Sequence, residues 1–95
     1  MSIKAGTKDI PTAGTAVQLV SGGNSIQAVI FVARIGNTGN CYLGGDDVSA
    51  TNGIELLPGI PFRVEFPEGH PGKLNWFYLD AATSGDDVDF FSMSV

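Results

Sequence analysis

The chain has one cysteine, Cys41, and one histidine, His70, among its 95 residues. A single thiol forms no intrachain disulfide, and one Cys with one His does not complete a Cys/His structural zinc site. Basic residues are also scarce. Lys4, Lys8, Arg34, Arg63 and Lys73 lie scattered along a chain of formal net charge −5. Nucleic acid and anionic membrane surfaces are met by clustered Lys and Arg, so neither is an expected partner. The first residues, Met1-Ser2-Ile3-Lys4-Ala5-Gly6, lack the apolar run of a signal peptide, and no stretch is long enough to span a bilayer. A soluble, intracellularly made chain is the expectation. Intervals free of glycine and proline are lacking as well: 13 Gly and 5 Pro leave hardly any segment long enough for an ordinary helix.

What remains is a set of short β-prone runs, spaced as in a sandwich or barrel. The cleanest is Phe62-Arg63-Val64-Glu65-Phe66, with three apolar side chains on one face and two charged ones on the other. Ala28-Val29-Ile30-Phe31-Val32-Ala33, inside the run Gln27–Arg34, is apolar on both faces. That is expected of a central strand covered on both sides, and in so small a protein the second cover is naturally another subunit. Further strands are expected at Ala16–Val20, Asn40–Leu43, Ile54–Leu57, Trp76–Asp80 and Val88–Ser94, about seven in all. In the last of these the apolar phase switches between Phe90 and Phe91, which calls for a β-bulge or for burial on both faces. Gly22-Gly23-Asn24, Asn37-Thr38-Gly39, Asn52-Gly53, Pro58-Gly59 and Ser84-Gly85-Asp86 carry turn chemistry. Residues 1–14 hold only the isolated apolar Ile3 and Ile10 and read as an extended N-terminal arm; residues 15–95 read as one domain. The expected class is all-β, a small antiparallel β-sandwich.

Chemistry-bearing patterns are sparse. His70 stands in the turn-like Pro67–Gly72, near Glu68 but with no implied nucleophile, and reads as a solvated loop residue. Cys41, flanked by Asn40 and Tyr42-Leu43, reads as a small buried hydrophobe rather than an activated thiolate. Asp46-Asp47, Asp86-Asp87, Asp80 and Asp89 offer hard oxygen ligands, yet their spacing is not that of an EF-hand loop, and they read as solvated turn carboxylates. No phosphate-loop, nucleophile-elbow or zinc-protease pattern occurs, so no catalytic residue, metal ligand or cofactor site is assigned. Trp76, Phe77 and Tyr78 form the densest aromatic cluster. With Phe77 and Leu79 in a core, Trp76 and Tyr78 face outward, where such rings serve as binding anchors or sugar platforms.

Three stretches together carry a resemblance. They are Gly6-Thr7 through Thr12-Ala13-Gly14-Thr15-Ala16-Val17-Gln18-Leu19; Gly36-Asn37-Thr38-Gly39 through Tyr42-Leu43-Gly44, with Val48-Ser49, Asn52-Gly53-Ile54-Glu55-Leu56 and Pro58-Gly59; and Tyr78-Leu79-Asp80-Ala81-Ala82 with Gly85 and Val88. The chain resembles small structural proteins of tailed bacteriophages, in particular head decoration, or cement, proteins. The resemblance implies a jelly-roll-like sandwich, a homotrimer, the major capsid protein as partner, manufacture in the bacterial host cytoplasm and a place on the capsid surface of the virion. The Pro67–Gly72 loop and Trp76 depart from that pattern, which is shorter and more aliphatic there. Residues expected at a partner interface are Ile3, Lys4, Lys8, Ile10, Phe31, Trp76 and Tyr78. The competing readings are a tail-fibre or receptor-binding module, with Trp76 and Tyr78 stacked on a sugar, and a small cupin-like enzyme, disfavoured by its single histidine.

Overall fold

The computed structural model describes residues 2–22 and 25–94, with Ser2 described by its backbone alone. Gly23 and Asn24 of the expected turn, Met1 and Val95 lie outside the described residues. The chain is all-β and its sheets are antiparallel. In order, the strands are β1 (Ser2–Asp9), β2 (Val17–Gln18), β3 (Ser25–Ile26), β4 (Ala28–Ala33), β5 (Cys41–Gly44), β6 (Ile54–Leu56), β7 (Pro61–Glu65), β8 (Gly72–Lys73), β9 (Tyr78–Ala81) and β10 (Asp87–Ser94). One 3-10 turn, Leu74–Trp76, precedes β9.

Two four-stranded sheets, ordered β1-β10-β4-β7 and β2-β9-β5-β6, share one apolar core in a sandwich-like arrangement, and β3 with β8 forms a small two-stranded ribbon beside them. The first sheet contributes Val29, Phe31 and Ala33 from β4 and Val88 and Phe90 from β10; the second contributes Cys41, Leu43, Leu56, Leu79 and Ala81. Alternation explains the choice, since residues two apart on a strand share a face. On β7 the alternation of Phe62 and Val64 against Arg63 and Glu65 holds, with the apolar pair half-buried against the core.

Four expectations are corrected. The N-terminal arm is instead an edge strand: β1 pairs with β10 over eight register positions, from Ser2↔Ser94 to Asp9↔Asp87. An edge strand is held by main-chain hydrogen bonds and needs no apolar alternation of its own, which is why its composition hid it. Gly6 helps it lie flat, because a Cβ there would stand 2.8 Å from the ring of Phe90. Second, the strands among the described residues number ten rather than about seven, the additions being β1 and the two-residue β3 and β8. Third, the phase switch in β10 comes neither from a bulge nor from burial on both faces: its registers with β1 and β4 run unbroken past Phe90 and Phe91, and Phe91 is exposed. The phase switch is a strand with apolar residues on both faces. Fourth, Trp76 belongs to the 3-10 turn, and the strand begins at Tyr78.

The turn readings at Gly53, Gly59 and Gly85 correspond to positive φ values of 142°, 80° and 90°. Such angles suit glycine because a Cβ clashes there.

Candidate functional site

The outer face of the β1-β10-β4-β7 sheet is built by the residues that alternate with the core. Cross-strand register lays them out in rows: Ile3, Met93, Ala28 and Glu65; Ala5, Phe91, Ile30 and Arg63; Thr7, Asp89, Val32 and Pro61. The centre of this block is apolar, with Phe91 39% and Ile3 61% exposed. Ile30, Val32 and Met93 are half-buried by their neighbours on the same face. A shallow hollow of about 470 Å³ opens over β10, lined by Ala5 and Thr7 of β1, Asp89 and Phe91 of β10, and Ile30 and Val32 of β4. On its β1 side it is walled only by small side chains, Ala5 opposite Phe91 and Thr7 opposite Asp89.

Charge on this face is compensated locally. Arg63 Nε lies 2.6 Å from Glu65 Oε1, and Arg34 Nε lies 3.6 Å from Asp89 Oδ2. Thr7 Oγ1 also donates to Asp89 Oδ1 at 2.6 Å. These pairs are exposed, so each adds little stability; the three rows themselves carry Glu65, Asp89 and Arg63, and only with Arg34, just beyond the end of β4, is the charge of this face balanced.

Two further apolar surfaces mark the opposite ends of the sheet. Beyond the end of β4, Ile35 is 87% exposed and packs over the Gly59 backbone, with Leu57 and Ile60 exposed alongside. The Gly59 N–H donates to Ala33 O at 2.8 Å and so fixes the β6–β7 turn against β4. At the other end an aromatic string runs from core to surface. Phe31 and Phe77 have centroids 5.2 Å apart, Phe77 and Phe66 6.3 Å, and Phe66 and Trp76 6.2 Å. Trp76 ends the string with 54% of its surface exposed. Gly72 is the seat of Phe66, since a Cβ at that position would stand 2.2 Å from the ring.

The residues expected at a partner interface are thus divided. Ile3, Lys4 and Trp76 are exposed, while Lys8 and Tyr78 are half-buried. Ile10 and Phe31 are corrected: both are fully buried in the core, so neither side chain meets a partner. Ile10 lies just beyond β1, where its N–H donates to Asp86 O at 2.9 Å and its carbonyl accepts from Gly85 N at 2.8 Å. Phe31 is the inward partner of the outward Ile30 and Val32, which sequence reasoning passed over. Phe91 and Met93 were passed over too, although the phase switch after Phe90 was their signal.

The carboxylates also divide. Asp46 and Asp47 are exposed as expected, but Asp80 and Asp86 are buried, which corrects their reading as solvated. Asp80 Oδ1 accepts from the N–H groups of Gly14 and Ala81 at 2.9 and 2.8 Å. Asp86 accepts from Thr38 N at 3.1 Å and Gly39 N at 3.0 Å. Beside it, Asn37 clamps the Asp87 peptide, donating to Asp87 O at 2.8 Å and accepting from Asp87 N at 3.1 Å. Their role is to satisfy loop N–H groups that would otherwise be stranded away from water. Cys41 is fully buried within reach of these groups. Burial first, then the charges of Asp86, Asp87 and Asp80, push its thiol up from 9.0 to about 11. It is therefore protonated and unreactive near neutrality. His70 sits in an exposed turn, its N–H donating to Pro67 O at 2.9 Å. Among the described residues, no group of three or more His, Cys, Asp or Glu side chains is placed to hold a metal ion.

These features define an all-β, sandwich-like module with an apolar, charge-balanced outer face and two apolar ends. Compared with known proteins, the chain matches no family model, no curated protein and no solved structure.

Proposed function

We propose that this chain is a non-enzymatic structural protein of a tailed-bacteriophage virion, a head decoration protein that binds the major capsid protein on the outer head surface and stabilises the shell. The observation that carries the reading is the outward apolar face made by Ile3, Phe91, Met93, Ile30 and Val32, together with the apolar end at Ile35, Leu57 and Ile60. Surfaces of this kind on a small domain mark sites of association with other proteins. Two separate surfaces suit a protein that holds both copies of itself and a shell. In the homotrimer that the resemblance implies, each copy contributes weak contacts, and linking three of them raises the effective concentration of each.

The strand order supports the finer fold reading. Eight strands divided as β1-β10-β4-β7 and β2-β9-β5-β6 place the first strand beside the last and the second beside the ninth. That nesting is what winding one long antiparallel ribbon into two sheets produces, and double-sheet jelly rolls of this kind occur in viral capsid and lectin domains. A second reading is favoured by one observation: Trp76 stands half out of the surface on the edge of Phe66. A tail-fibre or receptor-binding module would use that ring as a sugar platform.

Imaging of purified virions tests both. Density of this size on the outer head surface, lost from particles without the protein and restored by adding it back, is the expected result. Density at the tail tip would replace it with the receptor-binding reading, and absence from the particle would overturn both.

A further inference from the structure

We propose that the outer face of the β1-β10-β4-β7 sheet is the surface through which copies of this chain associate, with Phe91 of one copy entering the hollow beside Phe91 on the next. The inference builds on the reading of the chain as a self-associating protein and assigns the face that does it.

Shape is the first argument. The face holds an exposed ring, Phe91, beside a depression of about 470 Å³ that Ala5, Thr7, Ile30 and Val32 line together with that ring. A ring beside a hollow on one surface lets each copy insert its ring into the hollow of another, a contact that can close as a pair or as a ring of copies. Composition is the second. Val, Phe and Ala on this face repeat the residue types of the inner face, which already packs against a sheet, and Ile and Met add to its apolar character. Face-to-face packing of two sheets about 10 Å apart is a standard solution for such residues.

Charge argues for a copy rather than for a partner of opposite sign. The chain carries −5 overall, and Asp46, Asp47, Glu55 and Glu68 are exposed elsewhere on it. Two copies approaching through those regions bring carboxylates together. Across this face they meet Arg63 paired with Glu65 and Arg34 paired with Asp89, and repulsion is least there. Asp9 and Asp87, opposite each other at the strand ends, bound the neutral region.

Area sets the strength. Four strands about 4.8 Å apart with a rise of about 3.3 Å per residue give a flat projection of roughly 400 Å² per copy. A corrugated surface exceeds its projection, which brings a pair of faces to about the 1,000 Å² where specific interfaces begin. The association is therefore concentration-dependent rather than permanent.

Light scattering coupled to size exclusion, run over a concentration series, is the test. The native chain is expected to rise from 9.9 kDa to an integer multiple of that mass as concentration increases. Phe91→Glu and Ile30→Glu should each weaken association at least tenfold while keeping the native circular dichroism, since both side chains point away from the core. Ile35→Glu, at the loop end, should leave association unchanged. Mixing the single variants Ala5→Cys and Phe91→Cys under mild oxidation should give a disulfide between chains, a readout independent of whether the Glu variants fold. A native chain that stays monomeric throughout overturns self-association and this assignment together. An oligomer that survives Phe91→Glu and forms no mixed disulfide overturns the face alone. A dimer built through Phe91 keeps the face and overturns the trimer.

Discussion

Cys41 is enclosed on every side, with Asn37 Nδ2 3.5 Å from its sulfur and three carboxylates near enough to oppose a negative charge. Burial and those charges raise the folded-state value from 9.0 to about 11. A raised value links ionisation to unfolding with a definite sign. Below pH 9 the thiol is protonated in both states and its contribution is fully present; above that the unfolded chain loses its proton first, and the contribution is lost as pH climbs through about 11. The loss approaches about 2–3 kcal/mol. Urea melts at rising alkaline pH should therefore show the native chain losing stability more steeply than a Cys41→Ala variant, which is less stable at neutral pH because of its small cavity. Parallel slopes for the two proteins would show that the thiol ionises as readily folded as unfolded. The same pocket shows why single residues were hard to read from local pattern. Asp80 and Asp86 look like turn carboxylates, and only the arrival of Gly14, Thr38 and Gly39 N–H groups from distant segments makes them buried acceptors.

Among the elements, β1 makes the sharpest prediction. It covers one flank of β10, lays Gly6 over the Phe90 ring and contributes the Thr7 hydroxyl to Asp89. Ladder hydrogen bonds contribute about 0.5–1.5 kcal/mol each, partly offset by the backbone entropy that an unpaired segment regains. Against a total stability of about 5–15 kcal/mol, loss of the strand is severe. Deleting residues 1–8 is expected to lower the melting temperature by at least about 10 °C, a loss of around 2 kcal/mol at this chain length; an unchanged melt would show the segment to be a dispensable arm. Elements with a strong alternating or doubly apolar pattern were legible: each of the seven expected runs overlaps an observed strand. β3 and β8 were not, because two residues carry no period, and β1 was not, because an edge strand is selected by main-chain pairing. The outer face was half legible. Ile30, Val32, Phe91 and Met93 stood out as apolar residues in the wrong phase for a one-sided strand, but alternation does not say which of two apolar faces is the inner one. That choice rests on the partner sheet, whose Leu43 and Leu79 share one core cluster with Phe31 and Phe90.

At the scale of the whole molecule, the pairing that closes the first sheet joins the two ends of the described chain, Ser2 with Ser94 and Asp9 with Asp87. The strand that unites that sheet is β4, bonded to β10 on one side and β7 on the other. Contacts so distant in sequence carry the largest loop-closure cost, so the chain should fold in milliseconds to seconds, as all-β sandwiches do. Order of assembly follows from the same reasoning. The β4–β7 pairing spans the shorter loop and can nucleate the sheet, after which β10 docks on β4, and β1 can join only once β10 is in place. The sole tryptophan, Trp76, packed edge-on against Phe66, reports the docking by its fluorescence. In a denaturant chevron, Thr7→Ala removes the bond to Asp89 at the last-formed edge, a change of about 1 kcal/mol that should appear almost wholly as faster unfolding. Val29→Ala, fully buried on β4, costs about 2 kcal/mol and should slow folding instead. If Thr7→Ala slowed folding as much as Val29→Ala does, the two ends of the chain would be meeting in the nucleus, and the sequence of assembly argued from loop closure would be reversed.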